Sequence, residues 1–148
     1  MRSVSREAWI GGVSAAVGIA AMAVDHLLEE EGGFAADPPA FLISTALVLV
    51  VTAFVFGRVV PRVKAGEDPA RGAIRPGFVC AVVAVLGMPF TLWLGLPFPV
   101  GGGTLALGLI ALDGERRRSA AIMALIGALV VVLGAVAYAT VAVDKLAY

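Results

Sequence analysis

Residues 77–112 read GFVCAVVAVLGMPFTLWLGLPFPVGGGTLALGLIAL, which is 36 consecutive positions without a charged side chain. One straight helix of that length would be about 54 Å long at 1.5 Å per residue. The hydrocarbon core of a bilayer is only about 30 Å thick. Arginines flank the run on both sides, at Arg71 and Arg75 before it and at residues 116–118 after it. The run is therefore predicted to fold back on itself, with both of its basic ends on the same side.

The segment Leu96-Pro97-Phe98-Pro99 is the predicted position of the turn, because proline lacks a backbone donor and clashes with the preceding helical turn. The first arm, residues 77–96, is long enough to cross a bilayer despite Pro89. The second arm, residues 98–113, is shorter and carries three consecutive glycines, 101–103, near its start. Two interpretations of this arm remain open, a short or tilted spanning helix and one half of a re-entrant hairpin.

The composition indicates a membrane protein. Of 148 residues, 60% are hydrophobic and 15% are charged, whereas a soluble domain carries about 45–50% apolar and about 25% charged residues. Three further apolar blocks lie at residues 9–28, 41–60 and 120–143. The sequence thus predicts a single all-α domain over residues 1–148, an integral membrane bundle of five transmembrane helices. The tight proline-containing hairpin would join helices three and four.

The distribution of Lys and Arg predicts the orientation, since short cytoplasmic loops are enriched in these residues. Ten of the eleven cations fall on one side if the long run is a hairpin, and Lys145 falls on the other. The prediction is a multi-pass protein of the cell membrane with a cytoplasmic N-terminus and an extracytoplasmic C-terminus. The cations expected to set this topology, and to lie against anionic lipid, are Arg58, Arg62, Arg116, Arg117 and Arg118.

An alternative concerns the first apolar block. Basic residues, an apolar stretch and the small residues around Ala21-Met22-Ala23 are also typical of a cleaved secretory signal. Cleavage after Ala23 would leave four spans. A retained helix is the preferred interpretation, because the apolar stretch has nearly the length of a full span.

Asp25 and His26 are the candidate residues for moving protons or ions, because ionisable groups within spans often mark such pathways. Spacings of 4, 3 and 4 place Ser14, Gly18 and Ala21 on the same helix face as Asp25. This face is predicted to pack inward. The simpler interpretation is that Asp25 begins an acidic outer loop, where headgroups and water would reach it.

Other candidates are weaker. The acidic residues of the first outer loop could bind a hard cation through oxygen ligands, although their spacing fits no known calcium loop. Small residues in the second and last blocks are predicted to let helices approach closely, within the bundle or between copies. The acidic residues are Glu29, Glu30, Glu31 and Asp37, and the small residues are Ala53, Gly57, Gly127 and Gly134.

The sequence contains no motif of an enzyme, of a metal site or of a phosphate-binding loop, so no catalytic residue and no cofactor is predicted. The zero net charge excludes a nucleic-acid footprint. Residues 108–112, the arginine triplet and the Gly/Ala-rich segment after it resemble small bacterial membrane domains of unknown function. That resemblance covers the last third of the chain and implies a helical hairpin.

The predicted function is a structural or accessory role in the bilayer, bound to itself or to another membrane protein. The alternative is a small transporter or a proton- or ion-conducting oligomer that uses Asp25 with His26.

Overall fold

The computed structural model describes residues 5–28 and 38–147, and every regular element in these two ranges is helical. The prediction of an all-α fold with five helices is confirmed for this part of the chain. The helices are α1 (Arg6–Leu28), α2 (Pro38–Lys64), α3 (Pro69–Thr91, extended by a 3₁₀ turn at Leu92–Leu94), α4 (Pro97–Ala111) and α5 (Arg117–Ala147).

The five helices run in alternating directions. The connection between α2 and α3 and the connection between α4 and α5 therefore lie at the same end of the bundle. Arg6, Lys64, Arg71 and Arg116 lie at this end, here called the basic end. The opposite end, where Asp25 and Lys145 meet, is here called the distal end. The uncharged run therefore folds back, and its flanking arginines lie at the same end of the bundle.

Asp68 caps the start of α3 by accepting a hydrogen bond from the backbone N–H of Arg71 at 2.9 Å, and α3 then continues through two internal prolines.

The turn inside the uncharged run lies slightly earlier than predicted. The chain reverses at Gly95, whose positive φ of 66° is readily adopted only by glycine. Pro97 and Pro99 do not form the turn. They begin α4, because the first helical turn has no intrahelical bond for a proline to remove.

The short helix α4 is the centre of the bundle. It has 15 residues, and twelve of them are buried. The other four helices all contact it, with α3 and α5 making the most extensive contacts. Phe98 and Leu107, both 0% exposed, fill the spaces at its two ends. A short segment that is packed by protein on every side does not need the length that contact with lipid would require.

Glycines allow the neighbouring helices to approach α4 closely. A Cβ atom added to Gly127 on α5 would lie 2.6 Å from the carbonyl oxygen of Gly101 on α4. One added to Gly108 would lie 2.6 Å from the backbone nitrogen of Ala124. Backbones that approach this closely tolerate no side chain between them, and this type of packing is favoured where lipid weakens the hydrophobic driving force. Glycines 101–103, at the start of α4, likewise lie where neighbouring helices pack against it.

A π-helical turn at Val55–Val59 interrupts α2, and the Val60 N–H donates to the Val55 carbonyl oxygen across five residues. Pro61 follows directly, and its missing N–H removes a bond that a regular helix would make. The wider turn directs two consecutive large side chains toward glycines. A Cβ on Gly103 would lie 2.5 Å from Val55, and one on Gly11 would lie 2.6 Å from the Phe56 ring.

The outer surface of the bundle is apolar. Four helices, α1, α2, α3 and α5, are long and apolar enough to cross a membrane, whereas α4 is shorter. Leu, Val, Ile and Phe side chains stand exposed along α2, α3 and α5, among them Phe90, which is 82% exposed. Exposed apolar side chains over such an area are typical of a protein surrounded by lipid.

Candidate functional site

Two ion pairs hold α1 at its two ends. At the basic end, the Lys64 Nζ donates to the Glu7 Oε2 at 3.0 Å, which joins α1 to the end of α2. At the distal end, the Lys145 Nζ donates to the Asp25 Oδ1 at 2.9 Å, which joins α1 to the end of α5. Both carboxylates are buried, at 7% exposure for Glu7 and 8% for Asp25. Buried carboxylates need such partners, because transferring a lone charge out of water is costly.

Sequence reasoning identified Asp25 but not its partner. The sequence places Lys145 on the same outer side without linking it to Asp25, and it offers the i, i+1 neighbour His26 instead. The structure separates the two neighbours because adjacent positions of a helix point in different directions. The His26 ring stacks on Phe41 of α2, with ring centroids 5.2 Å apart and planes inclined by 18°. The buried His26 Nδ1 has no hydrogen-bond partner within the described residues.

Tyr138 of α5 closes the distal end of the core. Its hydroxyl donates to the carbonyl oxygen of Leu92 at 2.6 Å, and its ring lies 6.0 Å from the Phe98 ring. The same carbonyl oxygen also accepts a hydrogen bond from the Gly95 backbone N–H at 2.8 Å, so the hydroxyl is a second donor to the 3₁₀ turn where α3 ends. Tyr138 therefore fixes the reversal at Gly95 against the last helix.

The small residues predicted to pack divide into two groups. Ser14 and Gly18 are buried against α4, Ala21 is half-buried, and Gly127 and Gly134 are buried in the contact between α4 and α5. Ala53 and Gly57 instead lie on the exposed side of α2, so for these two residues the predicted packing stays a prediction about contacts between copies. In the π-helical turn, Val55 is buried and Phe56 is half-buried, whereas Gly57 is exposed. A Cβ on Gly57 would have nothing within 4 Å.

The basic end contains two cavities that share Asp68 and Ala70. One has a volume of about 380 Å³ and the other about 490 Å³. The smaller one lies between the start of α3 and the loop before α5, and the larger one lies beside the ion pair at the start of α1. The charged residues of the smaller cavity are Asp68, Arg71, Glu115 and Arg116, and those of the larger one are Arg6, Glu7, Lys64, Glu67, Asp68 and Asp113.

Sequence reasoning missed these cavities because it treated the basic loops as topological signals alone. The available signal was the acidic residues interspersed among the arginines, such as Asp68 and Glu115. Of the predicted topology-setting cations, Arg116 lines the smaller cavity. The others, Arg58, Arg62, Arg117 and Arg118, are exposed and line neither cavity.

No group of three or more His, Cys, Asp or Glu side chains that could hold a metal ion occurs within residues 5–28 and 38–147. The proposed cation ligands Glu29, Glu30, Glu31 and Asp37 lie outside the described residues. Cys80 is half-buried on α3. The two ion pairs can hold helices together. The charged side chains that line the cavities can bind a charged ligand.

The chain matches no known protein family, no curated protein and no solved structure. The resemblance of its last third to small bacterial membrane domains stays a prediction.

Proposed function

We propose that this protein is a small multi-pass membrane protein with a structural or accessory, non-catalytic role. One observation carries the proposal: an uncharged helix, α4, lies enclosed by four long helices whose outer surfaces are apolar, and charges gather at the two ends. This arrangement suits a compact unit in lipid. In the proposed topology all five helices cross the membrane, α4 as the enclosed one.

The length of α1 supports this placement. Glu7 and Asp25 are 18 residues apart, which corresponds to about 27 Å along a helix. A hydrocarbon core of about 30 Å would place both ion pairs at its boundaries. Trp9 and Trp93, exposed at opposite ends of the bundle, suit the two interfaces, where tryptophan is enriched.

The basic end is the proposed cytoplasmic end, because cytoplasmic loops carry the excess of Lys and Arg. The N-terminus would then be cytoplasmic and the C-terminus extracytoplasmic. The contacts of α1 support its retention as a span. Met22, inside the signal-like segment, is buried at 3% exposure, and its side chain packs close to Gly95.

Cysteine labelling tests the topology. In a Cys80→Ser background, Ala35→Cys should react with an impermeant thiol reagent added outside intact cells, and Gly66→Cys should react only after the membrane is opened. Reaction of both single-cysteine proteins from the same side would show that α2 does not cross the membrane and would contradict the five-span topology.

The proposed partner is a second copy or another membrane protein. Gly12 of α1 and Gly57 of α2 have open space where a side chain would be, which would permit close approach of another helix. Pull-down of the full chain in a mild detergent, with identification of co-purifying proteins and measurement of its mass, tests this role. A protein that is strictly monomeric and without partners would contradict it.

The second candidate function is transport of protons or ions, which the buried carboxylate of Asp25 favours. The ion pair with Lys145 favours the structural role instead, because it gives this carboxylate a fixed partner. Purified protein in vesicles loaded with a pH-sensitive dye distinguishes the two. A proton flux that the wild type supports and Asp25→Asn abolishes would replace the accessory role with transport.

A further inference from the structure

The smaller cavity at the basic end has the features of a binding site for a zwitterion. Arg71 lies in the first turn of α3 and Arg116 lies in the loop before α5, so the two guanidinium groups come from different elements that line the same cavity. Ala70, Ile74 and Ala111 provide apolar surface within it. A volume of about 380 Å³ lies within the range of small-ligand sites.

The charged side chains of this cavity do not form ion pairs with one another within the described residues. Within the described residues, neither guanidinium group forms an ion pair, and the carboxylate of Glu115 accepts no hydrogen bond. Asp68 accepts the capping hydrogen bond of α3 through its Oδ1, and this bond does not neutralise its carboxylate. Two cations and two carboxylates therefore line a common space, and Glu115 is the carboxylate that makes no hydrogen bond within the described residues.

The position of the cavity suits a lipid headgroup. It opens where the uncharged run begins and ends, close to residues 71–75 and 113–116. If the bundle lies in the membrane as proposed, this level is the cytoplasmic headgroup region. Acyl chains of a bound lipid would then continue along the exposed apolar side chains of α3 and α5, such as Phe78 and Ile122.

We propose that this cavity binds the headgroup of an aminophospholipid. The phosphate lies against Arg71 and Arg116, and the primary ammonium lies against Glu115. Arginine is suited to phosphate because its planar fork forms charge-assisted hydrogen bonds with phosphate oxygens. A purely anionic headgroup would leave the carboxylate of Glu115 next to negative charge, whereas a zwitterion matches both signs. This inference rests on the proposed membrane placement.

Native mass spectrometry of the full chain tests the site, with the protein reconstituted in vesicles of equal parts phosphatidylethanolamine and phosphatidylglycerol and then released in mild detergent. Arg71→Gln and Arg116→Gln should each reduce retained phosphatidylethanolamine about tenfold, since each variant removes a hydrogen bond between charged groups, which is worth about 1.5 kcal/mol. The matched variants Arg117→Gln and Arg118→Gln remove the same charge outside the cavity and should leave retention unchanged. Equal losses in all four variants would overturn the proposal.

Glu115→Gln tests the ammonium contact separately. It should abolish the preference for phosphatidylethanolamine over phosphatidylglycerol, while total retained lipid stays the same or rises. An unchanged preference would overturn the zwitterion assignment. Competition by soluble glycerophosphoethanolamine at the same concentration as the lipid would show a free phosphate ester as the ligand, and this too would overturn the lipid assignment.

Two further measurements distinguish loss of lipid binding from loss of folding and from a failure to enter the membrane. All the substituted side chains are exposed, so helicity measured by circular dichroism should equal that of the wild type in each variant. Flotation of the wild type with vesicles on a density gradient reports membrane placement. A protein that does not float would overturn the proposed function, whereas a floating protein whose lipid retention ignores Arg71 and Arg116 would overturn the site alone.

Discussion

The uncharged run supplies most of α3 and all of α4, but the two helices have opposite environments. Of the 15 residues of α4, twelve are buried, whereas only four of the 23 residues of α3 are. Both helices are apolar, so hydropathy does not distinguish them. The position of the large apolar side chains does, because α4 buries Phe98 and Leu107 whereas α3 exposes Phe78 and Phe90. Small residues form close contacts on both helices, so it is the large apolar side chains that show which helix is enclosed by protein and which lies on the outer surface.

The largest expected effect comes from truncating one phenylalanine on each helix. Phe98→Ala on α4 should lower the free energy of unfolding by about 3–5 kcal/mol, because a fully buried ring leaves a cavity. Phe90→Ala on α3 is the matched control and should change it by less than about 0.5 kcal/mol, because that ring is 82% exposed. Titration with SDS in mixed micelles, followed by circular dichroism, measures both. Similar losses would mean that the two helices do not differ in environment.

A smaller effect is expected from adding one methyl group to a glycine. Gly127→Ala should lower the free energy of unfolding by about 1–3 kcal/mol, because its Cβ would overlap the backbone of α4. Gly57→Ala should be neutral or slightly stabilising, since its Cβ meets nothing within 4 Å and alanine is the better helix former. The same titration compares them. The close contact between α4 and α5 would be refuted if Gly127→Ala were as stable as the wild type.

Removing the arginine triplet tests whether charge or packing determines the orientation of α4 in the membrane. Neutralising Arg116, Arg117 and Arg118 together should give a mixed population in which part of the C-termini are cytoplasmic, because each cation near the inner surface contributes about 1 kcal/mol. Neutralising Lys145 should leave the orientation unchanged. A reporter fused after Tyr148 measures the two populations. If the C-terminus stays wholly external in the triple variant, packing alone determines the orientation of α4.

The smallest effect is expected at the distal ion pair. Asp25→Asn should lower the free energy of unfolding by about 1 kcal/mol or less, because the Lys145 side chain is 26% exposed and a partly solvated pair contributes little. The oligomeric state should not change. Glu7→Gln at the opposite end of α1 is the matched variant, and its partner Lys64 is more exposed, at 46%. A loss of several kcal/mol for Asp25→Asn, measured by SDS titration, would contradict this ranking.

Much of the fold could be predicted from the sequence because charge and length constrain it. The folding back of residues 77–112 followed from a run too long for one span and from the arginines at both ends. The inward position of Ser14 and Gly18 followed from helical spacing, whereas for Gly127 and Gly134 the sequence left contacts within the bundle and contacts between copies open. The central position of α4 could not be predicted, because periodicity cannot tell which of five apolar helices the others surround.

The candidate sites were less accessible to sequence reasoning. The pairing of Asp25 with Lys145 joins residues 120 positions apart, and nothing local indicates it. His26 was assigned to Asp25 because the two are adjacent, although a helix turns adjacent side chains apart. The smaller cavity at the basic end needs the start of α3 to meet the loop before α5, which only the tertiary structure provides.

The π-helical turn in α2 sets the rotational phase of everything after it. Each residue of an α-helix advances the side chains by about 100°. The π-helical turn contains one residue more than a regular turn, so Val60 and Lys64 keep the phase that they would have if the chain were one residue shorter. If the turn closed as a regular α-helix with every residue kept, Val60 and Lys64 would rotate by about 100° relative to the preceding helix. Val60 would then turn away from the core, and Lys64 would turn away from Glu7. The extra residue of the turn is therefore a spacer on which a distant ion pair depends.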